Sequence, residues 1–413
     1  MAACGAEGVP PDIFKQAYDL NIPVRIHWDI TWRCDHKCVH CYLTDRRKHE
    51  LTYDECVDVL DQLAEAGCMF LLFSGGDLFL RPDAAKVLRA ARDRQFDVKI
   101  ITHGNFIDDA LADDLADMGV SCVAMSLYSG GPEAHEAVTR IPGSHQKTID
   151  AARRLRERGV KVQLKTPVMV HNRTDWHTVE AIAKTYDCEW VIDGHIMPDD
   201  QSDFALTGIG LTHPERILAV MKGMESRRDE IRPAHEMPDV PSSGNTCSAA
   251  HTAGYISPDG ELYPCINWRE PIGGLREHSF AELWWHHPTV KKQRELKRAN
   301  YLQDCEGCGF HGKCGYCPGI SHAETEQADR RSAYVCERTH LTMAAMDYMD
   351  RLNETDEPVP APGDEGELFA SRPTFAERQW AARRHGMARP GHRLRPRGDD
   401  GVSLVQIGEP RAR

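Results

Sequence analysis

The sequence predicts an α/β fold: a partial (β/α)6 TIM barrel followed by a small, loop-rich cysteine-cluster domain. Two observations carry this expectation. From Val24 to Met197, short apolar runs alternate with segments of helical spacing, the pattern of a parallel sheet joined by right-handed crossovers. Beyond Cys247 the alternation gives way to seven cysteines ending at Cys336. At most six strand–helix steps are present, too few for an eight-fold barrel.

Val24–Ile30 reads as the first strand and ends at a cysteine loop. Leu51–Ala66 has helical spacing, and Cys68–Phe73 is a buried-strand run broken by Ser74-Gly75-Gly76-Asp77. Helix Pro82–Asp93, strand Asp97–Thr102, helix Ile107–Met118 and strand Ser121–Leu127 follow. Helix Ser144–Arg158, strand Val160–Val170, helix Thr174–Tyr186 and strand Glu189–Met197 complete the series. The expected divisions are an N-terminal extension (1–22), the barrel (23–198), a bridge with a helix near Pro214–Ser226 (199–246) and the cysteine-cluster domain (247–352). A mobile charged tail (353–413) is expected after them, acidic and Pro-rich and then Arg-rich. In such sheets the loops at the strand C-terminal ends carry the site. The cysteine loop and Gly75-Gly76-Asp77 both fall there.

Cys34, Cys38 and Cys41 offer three thiolates within one loop, spaced Cys-x3-Cys-x2-Cys. Soft sulfur suits an iron–sulfur cluster. A [4Fe–4S] cube held by three cysteines keeps one iron for another ligand, as catalytic rather than closed structural sites do. The alternative is a zinc site completed by His36 or His40.

At these residues the chain resembles the radical S-adenosylmethionine (SAM) enzymes, over roughly Pro23 to Met197. The resemblance implies that the free iron chelates SAM and that an electron cleaves it to methionine and a 5′-deoxyadenosyl radical. It places His40 beside the adenine and Gly75 and Gly76 near the methionine amino group. Asp77 stands where the family usually has Glu, keeping a carboxylate with a shorter reach. His103, in Thr102-His103-Gly104-Asn105, replaces a frequent Asn, and Ser126 resembles a ribose contact. Ordinary turn chemistry at strand ends is the competing reading for Gly75, His103 and Ser126.

Cys247, Cys265, Cys305, Cys308, Cys314, Cys317 and Cys336 form the second set. The five residues between its two Cys-x2-Cys pairs are few for a ribbon-type zinc site, where about 15–20 intervene. The set resembles the SPASM extension of radical SAM enzymes, which holds two auxiliary iron–sulfur clusters. Cys314-x2-Cys317 is one residue shorter than the family's usual pair. By that resemblance Cys305, Cys308, Cys314 and Cys336 close one cluster, while Cys247, Cys265 and Cys317 hold the other with three. An open iron or a non-cysteine ligand is therefore expected there, with His251 the nearest candidate. Of 15 cysteines, Cys4, Cys56, Cys68, Cys122 and Cys188 remain as incidental thiols.

Lys+Arg 50 against Asp+Glu 63 gives a net charge of −13, which disfavours nucleic-acid partners. No apolar run reaches transmembrane length and no signal peptide is evident. A cytoplasmic enzyme without a membrane partner is expected.

The resemblance implies flavodoxin or ferredoxin as reductant and, most often, modification or crosslinking of a ribosomally made peptide by an oxidoreductase reaction. Only 33 residues precede Cys34, so leader recognition would fall to a separate small protein, the bridge or the tail. The alternatives are small-molecule chemistry on tetrapyrroles or sugars, and a sulfatase-maturase-like dehydrogenase. The last is weakened because Ile266 and Asn267, after Cys265, cannot accept a proton at neutral pH. No substrate acid or base stands out. Lys165, Asp193 and His195 lie at predicted strand ends, and Trp284 and Trp285 read as packing residues.

Overall fold

The computed structural model describes residues 11–377, apart from 47, 242–246, 306–307, 365, 371–373 and 375. Cys4 and the proposed tail from 378 onward lie outside the described residues. Helix α1 (Pro11–Leu20), which the sequence pattern did not reveal, precedes strand β1 (Arg25–Asp29). Helices α2 (Tyr53–Glu65), α3 (Ala84–Asp93) and α4 (Asp109–Asp117) alternate with strands β2 (Phe70–Ser74), β3 (Asp97–Thr102) and β4 (Cys122–Ser126). Two helices, α5 (Pro132–Thr139) and α6 (Ser144–Glu157), then lead to β5 (Val162–Pro167), α7 (Val179–Thr185) and β6 (Glu189–Asp193). The expected strands and helices are all present, most of them shorter than expected, while β3 keeps the expected bounds. Local signals explain their starts: α2 opens with a capping box, in which Thr52 and Glu55 satisfy each other's backbone N–H groups.

The sheet does not stop at six strands. Its order is β6-β5-β4-β3-β2-β1-β7-β8-β9, where β7 (Ala253–Ile256), β8 (Glu261–Tyr263) and β9 (Gly273–Gly274) come from the cysteine-rich half. Strand β7 pairs parallel with β1, and β8 and β9 follow antiparallel. The hairpin between β7 and β8 turns at Ser257-Pro-Asp-Gly260, with Gly260 at φ +88°, a left-handed conformation that glycine adopts readily. Among the described residues β6 and β9 do not pair, so the barrel stays open.

Strand alternation sorts the side chains. Ile26, Trp28, Leu71, Phe73, Val98, Ile100, Val123, Met125 and Leu164 are buried in one core with α2, α3, α4 and α6. Burial of each large apolar side chain stabilises by about 1.5–3 kcal/mol. The register aligns His27, Leu72, Lys99 and Cys122 on the opposite, concave face. Ile101, Ser126 and Lys165 share that face and are only half buried. Helix α8 (His213–Met224) lies in the expected bridge and packs with Ile217, Leu218 and Met221 on the long helix Ala333–Thr355, through Leu341, Ala344 and Tyr348. No helix among the described residues is long and apolar enough to cross a membrane.

Candidate functional site

Strand β1 delivers the chain into the loop of Cys34, Cys38 and Cys41, and that loop hangs from its neighbours by backbone. Gly76 N donates to Thr31 O (2.9 Å) and Asp77 N to Arg33 O (2.7 Å). Lys37 N and Val39 N donate to Thr139 and Val138 carbonyls at the end of α5. A Cβ added at Gly75 or Gly76 would lie less than 3.0 Å from the carbonyl oxygens of Thr31 or Arg33. Contact with the cysteine loop itself thus demands glycine at both positions, whatever else approaches them.

The Asp77 carboxylate is fully buried. It accepts from Thr102 Oγ1 (2.5 Å), His103 N (2.9 Å) and Phe79 N (3.1 Å). It therefore braces β2 against β3 from inside. The His103 ring lies between Asp35 (2.9 Å) and Asp77 (3.3 Å) and stacks on His36 at 3.8 Å.

Each alternative zinc ligand already uses its Nε2 in a contact within the protein. His36 Nε2 contacts Asn105 Nδ2 (3.0 Å) and His40 Nε2 the Tyr128 hydroxyl (2.8 Å). Burial pulls both imidazoles down to about 4, so they are neutral at ordinary pH. Ser126, at the end of β4, also bonds Tyr128, which in turn reaches Cys38.

Arg46 joins the three thiols from the far side of the loop. Its Nη2 lies 3.2 Å from Cys41 Sγ, and Nη1 donates to the carbonyls of His36 and Cys34. Burial pushes the Cys34 thiol up to about 12 and Cys38 to about 11. Metal ligation needs thiolates, so it displaces these protons.

The structure brings together four cysteines of the second set in one place and two in another. Cys305, Cys308, Cys314 and Cys336 line one cavity together with Arg298, Tyr301 and Thr339. Cys265 lies close enough to Cys317 to feel its charge. Cys247 is exposed, and its carbonyl accepts from the Tyr18 hydroxyl on α1 (3.2 Å). His251 takes other partners: it stacks on Tyr18 (4.2 Å), and its Nδ1 contacts Asn21 Oδ1 (2.9 Å).

Two family models match the chain. One, described as the radical SAM superfamily, covers residues 28–185, and one described as an iron–sulfur cluster-binding domain, SPASM, covers 247–309. The chain is a radical SAM protein with a SPASM domain. The AdoMet-dependent heme synthase of Methanosarcina barkeri is 22% identical over 339 residues, 74% of this chain and 94% of that protein. Mycofactocin maturase MftC of Mycobacterium ulcerans is 25% identical over 321 residues, 74% of this chain and 85% of its own. Streptococcus suis SuiB bound to S-adenosylmethionine superposes with a TM-score of 0.63 at 14% identity, over 76% of this chain and 77% of SuiB. SuiB bound to its precursor peptide SuiA gives 0.61 at 15%, over 78% of each chain. The shared fold is that of a radical SAM sheet followed by a cysteine-rich segment.

The radical SAM and SPASM domains imply [4Fe–4S] clusters and SAM, and the donor chemistry fits. The loop of Cys34, Cys38 and Cys41 and the cavity of Cys305, Cys308, Cys314 and Cys336 each gather soft sulfur at one locus, and Arg46 offers positive charge beside the first.

A polar network that the sequence reading missed borders the radical SAM loop. Asp29, fully buried at the end of β1, accepts from the hydroxyls of Tyr42 (2.8 Å) and Tyr255 (2.9 Å), and His27 Nε2 lies 3.2 Å away. Burial opposes its ionisation, but these contacts prevail and hold its carboxyl below the ordinary range. Arg269 stacks on Tyr255 (4.8 Å), Tyr42 (5.8 Å) and Tyr263 (5.9 Å). Tyr42 follows Cys41 directly, and Tyr255 sits on β7, so the network ties the loop to the SPASM half. One signal was available: Asp29 is a lone acid in an apolar run that ends at the cysteines. Lys165 faces the concave side, Asp193 is exposed and accepts from His195 N (2.9 Å), and Trp284 is buried in the core.

Proposed function

We propose that this chain reductively cleaves SAM at Cys34, Cys38 and Cys41 and abstracts a hydrogen atom from a peptide lying along the concave face. Cys305, Cys308, Cys314 and Cys336 hold one auxiliary cluster in this reading, and Cys247, Cys265 and Cys317 the other. When bound, the first cluster supplies the electron that splits SAM into methionine and a 5′-deoxyadenosyl radical. The residues around it do the positioning. Arg46 orients Cys41, Asp77 fixes the turn that packs under the loop, and Tyr128 holds His40 and Ser126 beside the thiols.

One observation carries the substrate reading: the sheet is open between β6 and β9, leaving a half-exposed face beside the cysteine loop. An open side admits an extended chain without threading. SuiB shares the fold and has been crystallised with a peptide, which supports this choice. Flavodoxin or ferredoxin would deliver the electron.

The heme-synthase relative favours a second reading, in which the substrate is a tetrapyrrole. The test is anaerobic reconstitution, then SAM and dithionite with either the short peptides encoded near the gene or an iron porphyrin. A peptide whose mass falls by whole hydrogens, with stoichiometric 5′-deoxyadenosine, is the expected result. Turnover of the porphyrin alone would replace the peptide reading. Clusters without SAM cleavage would overturn both.

A further inference from the structure

Two of the residues that border the cavity of Cys305, Cys308, Cys314 and Cys336, Tyr301 and Arg298, each keep a buried donor without a protein partner. Tyr301 is 1% exposed and stacks on Tyr316 with ring centroids 3.4 Å apart. Its hydroxyl has no hydrogen-bond partner among the described residues. A buried hydroxyl in that state is destabilising unless something else accepts from it. Arg298 is 4% exposed, and its two terminal nitrogens donate to Cys314 O (2.7 Å) and His311 O (3.0 Å). Those bonds anchor the guanidinium at the cavity wall and leave Nε without a partner. Thr339 Oγ1 adds a third polar atom, 3.2 Å from Cys314 Sγ.

These side chains share one chemistry. Each brings an N–H or O–H to a place where four thiolates gather, and one brings a positive charge. A cluster with four thiolate ligands is anionic and becomes more so on reduction. Donors to its sulfur atoms therefore stabilise the reduced form and raise the potential.

We propose that Tyr301 Oη and Arg298 Nε donate hydrogen bonds to sulfur atoms of the cluster held by Cys305, Cys308, Cys314 and Cys336, setting its reduction potential. The inference rests on the cluster assignment above, so its test must tell the two apart. Arg298 also holds the loop backbone, which makes Tyr301 the cleaner position to vary.

The experiment uses the full chain with Cys34, Cys38 and Cys41 replaced by Ala, so that only auxiliary clusters contribute. Iron, zinc and sulfide are counted, and each cluster is titrated by EPR at controlled potentials. Cys265→Ser in the same background assigns the signals. Tyr301→Phe keeps the ring stack and removes the donor. It should leave iron content unchanged and move the four-cysteine cluster to more negative potential, lowering its reduced-to-oxidised ratio several-fold at the wild-type midpoint. A tenfold change in that ratio corresponds to about 59 mV for one electron.

Placing 3-fluorotyrosine at 301 strengthens the donor without removing it and should shift the potential the other way. That arm decides the matter if the Phe variant loads poorly. Unchanged potentials in both arms, or a shift confined to the other cluster, would overturn the proposal. Zinc in place of iron would overturn the cluster assignment itself, and metal analysis separates that result from a mere lack of tuning.

Discussion

The loop of Cys34, Cys38 and Cys41 and the cavity of Cys305 to Cys336 gather thiols by different means. The first is held by backbone: strand ends, two glycines and the carbonyls of Thr31 and Arg33 fix where the chain runs. The second is walled by side chains, with Arg298, Tyr301 and Thr339 around the cysteines. Backbone-held geometry tolerates almost no change at the contact points, because a displaced carbonyl moves the loop. A cavity built from side chains can trade one packing or hydrogen-bonding group for another. The lesson is that the two centres should fail differently when mutated.

The sharpest break of this comparison is Cys34/Cys38/Cys41→Ala. It should remove about four irons per chain and all 5′-deoxyadenosine release, with auxiliary iron retained, as measured by iron analysis and product quantification. Next comes Gly76→Ala. Overpacking typically destabilises by about 1–3 kcal/mol, and here the clash is with backbone, so the upper end is expected. Thermal melts should show it, together with selective loss of SAM-cluster iron. Retained SAM cleavage at normal rates would break the idea that backbone contact controls the loop.

Asp77→Asn should destabilise by about 1–3 kcal/mol, since one buried amide cannot accept from all three present donors. Denaturant midpoints check this, and SAM affinity should suffer less than cluster retention. Asp29 sharpens the same comparison through pH. Its folded carboxyl titrates below its ordinary range, so its contribution is fully present above about pH 4 and is lost as pH falls through the folded value. Asp29→Asn should flatten that acid limb in urea denaturation measured from pH 6 downward. The smallest effect belongs to Arg46→Leu. The partly exposed donor to Cys41 is removed together with the bonds to the His36 and Cys34 carbonyls, and a modest negative shift of the SAM-cluster potential is expected by EPR titration.

Much of the fold was legible because six strands are apolar runs punctuated by turns. The seventh was not. Ala253-Gly-Tyr-Ile256 is four residues long, and its partner β1 lies more than two hundred residues earlier, so no local pattern announces it. Helices α1 and α5 were missed for a related reason: their roles, against Tyr18's partners and under Lys37 and Val39, are tertiary. At the site, the cysteines were legible by spacing, and Gly75 and Gly76 by type. The reason for glycine was legible only in part, since the contact that forbids a side chain is with the loop itself. Arg46, Tyr128 and Arg269 carry no spacing signal, and only the fold brings them to the thiols.

The placement of β7 has a consequence for how the molecule is made. Until the ribosome has passed Ile256, β1 has a neighbour on one side only, and its other edge presents unpaired N–H and C=O groups. The strand that feeds the loop of Cys34, Cys38 and Cys41 is thus the last of β1 to β5 to gain its second neighbour during synthesis. A chain truncated near residue 198 would leave that edge open to pairing with other chains. The late strand works as a lock that closes the early one only after the cysteine-rich half has begun to emerge.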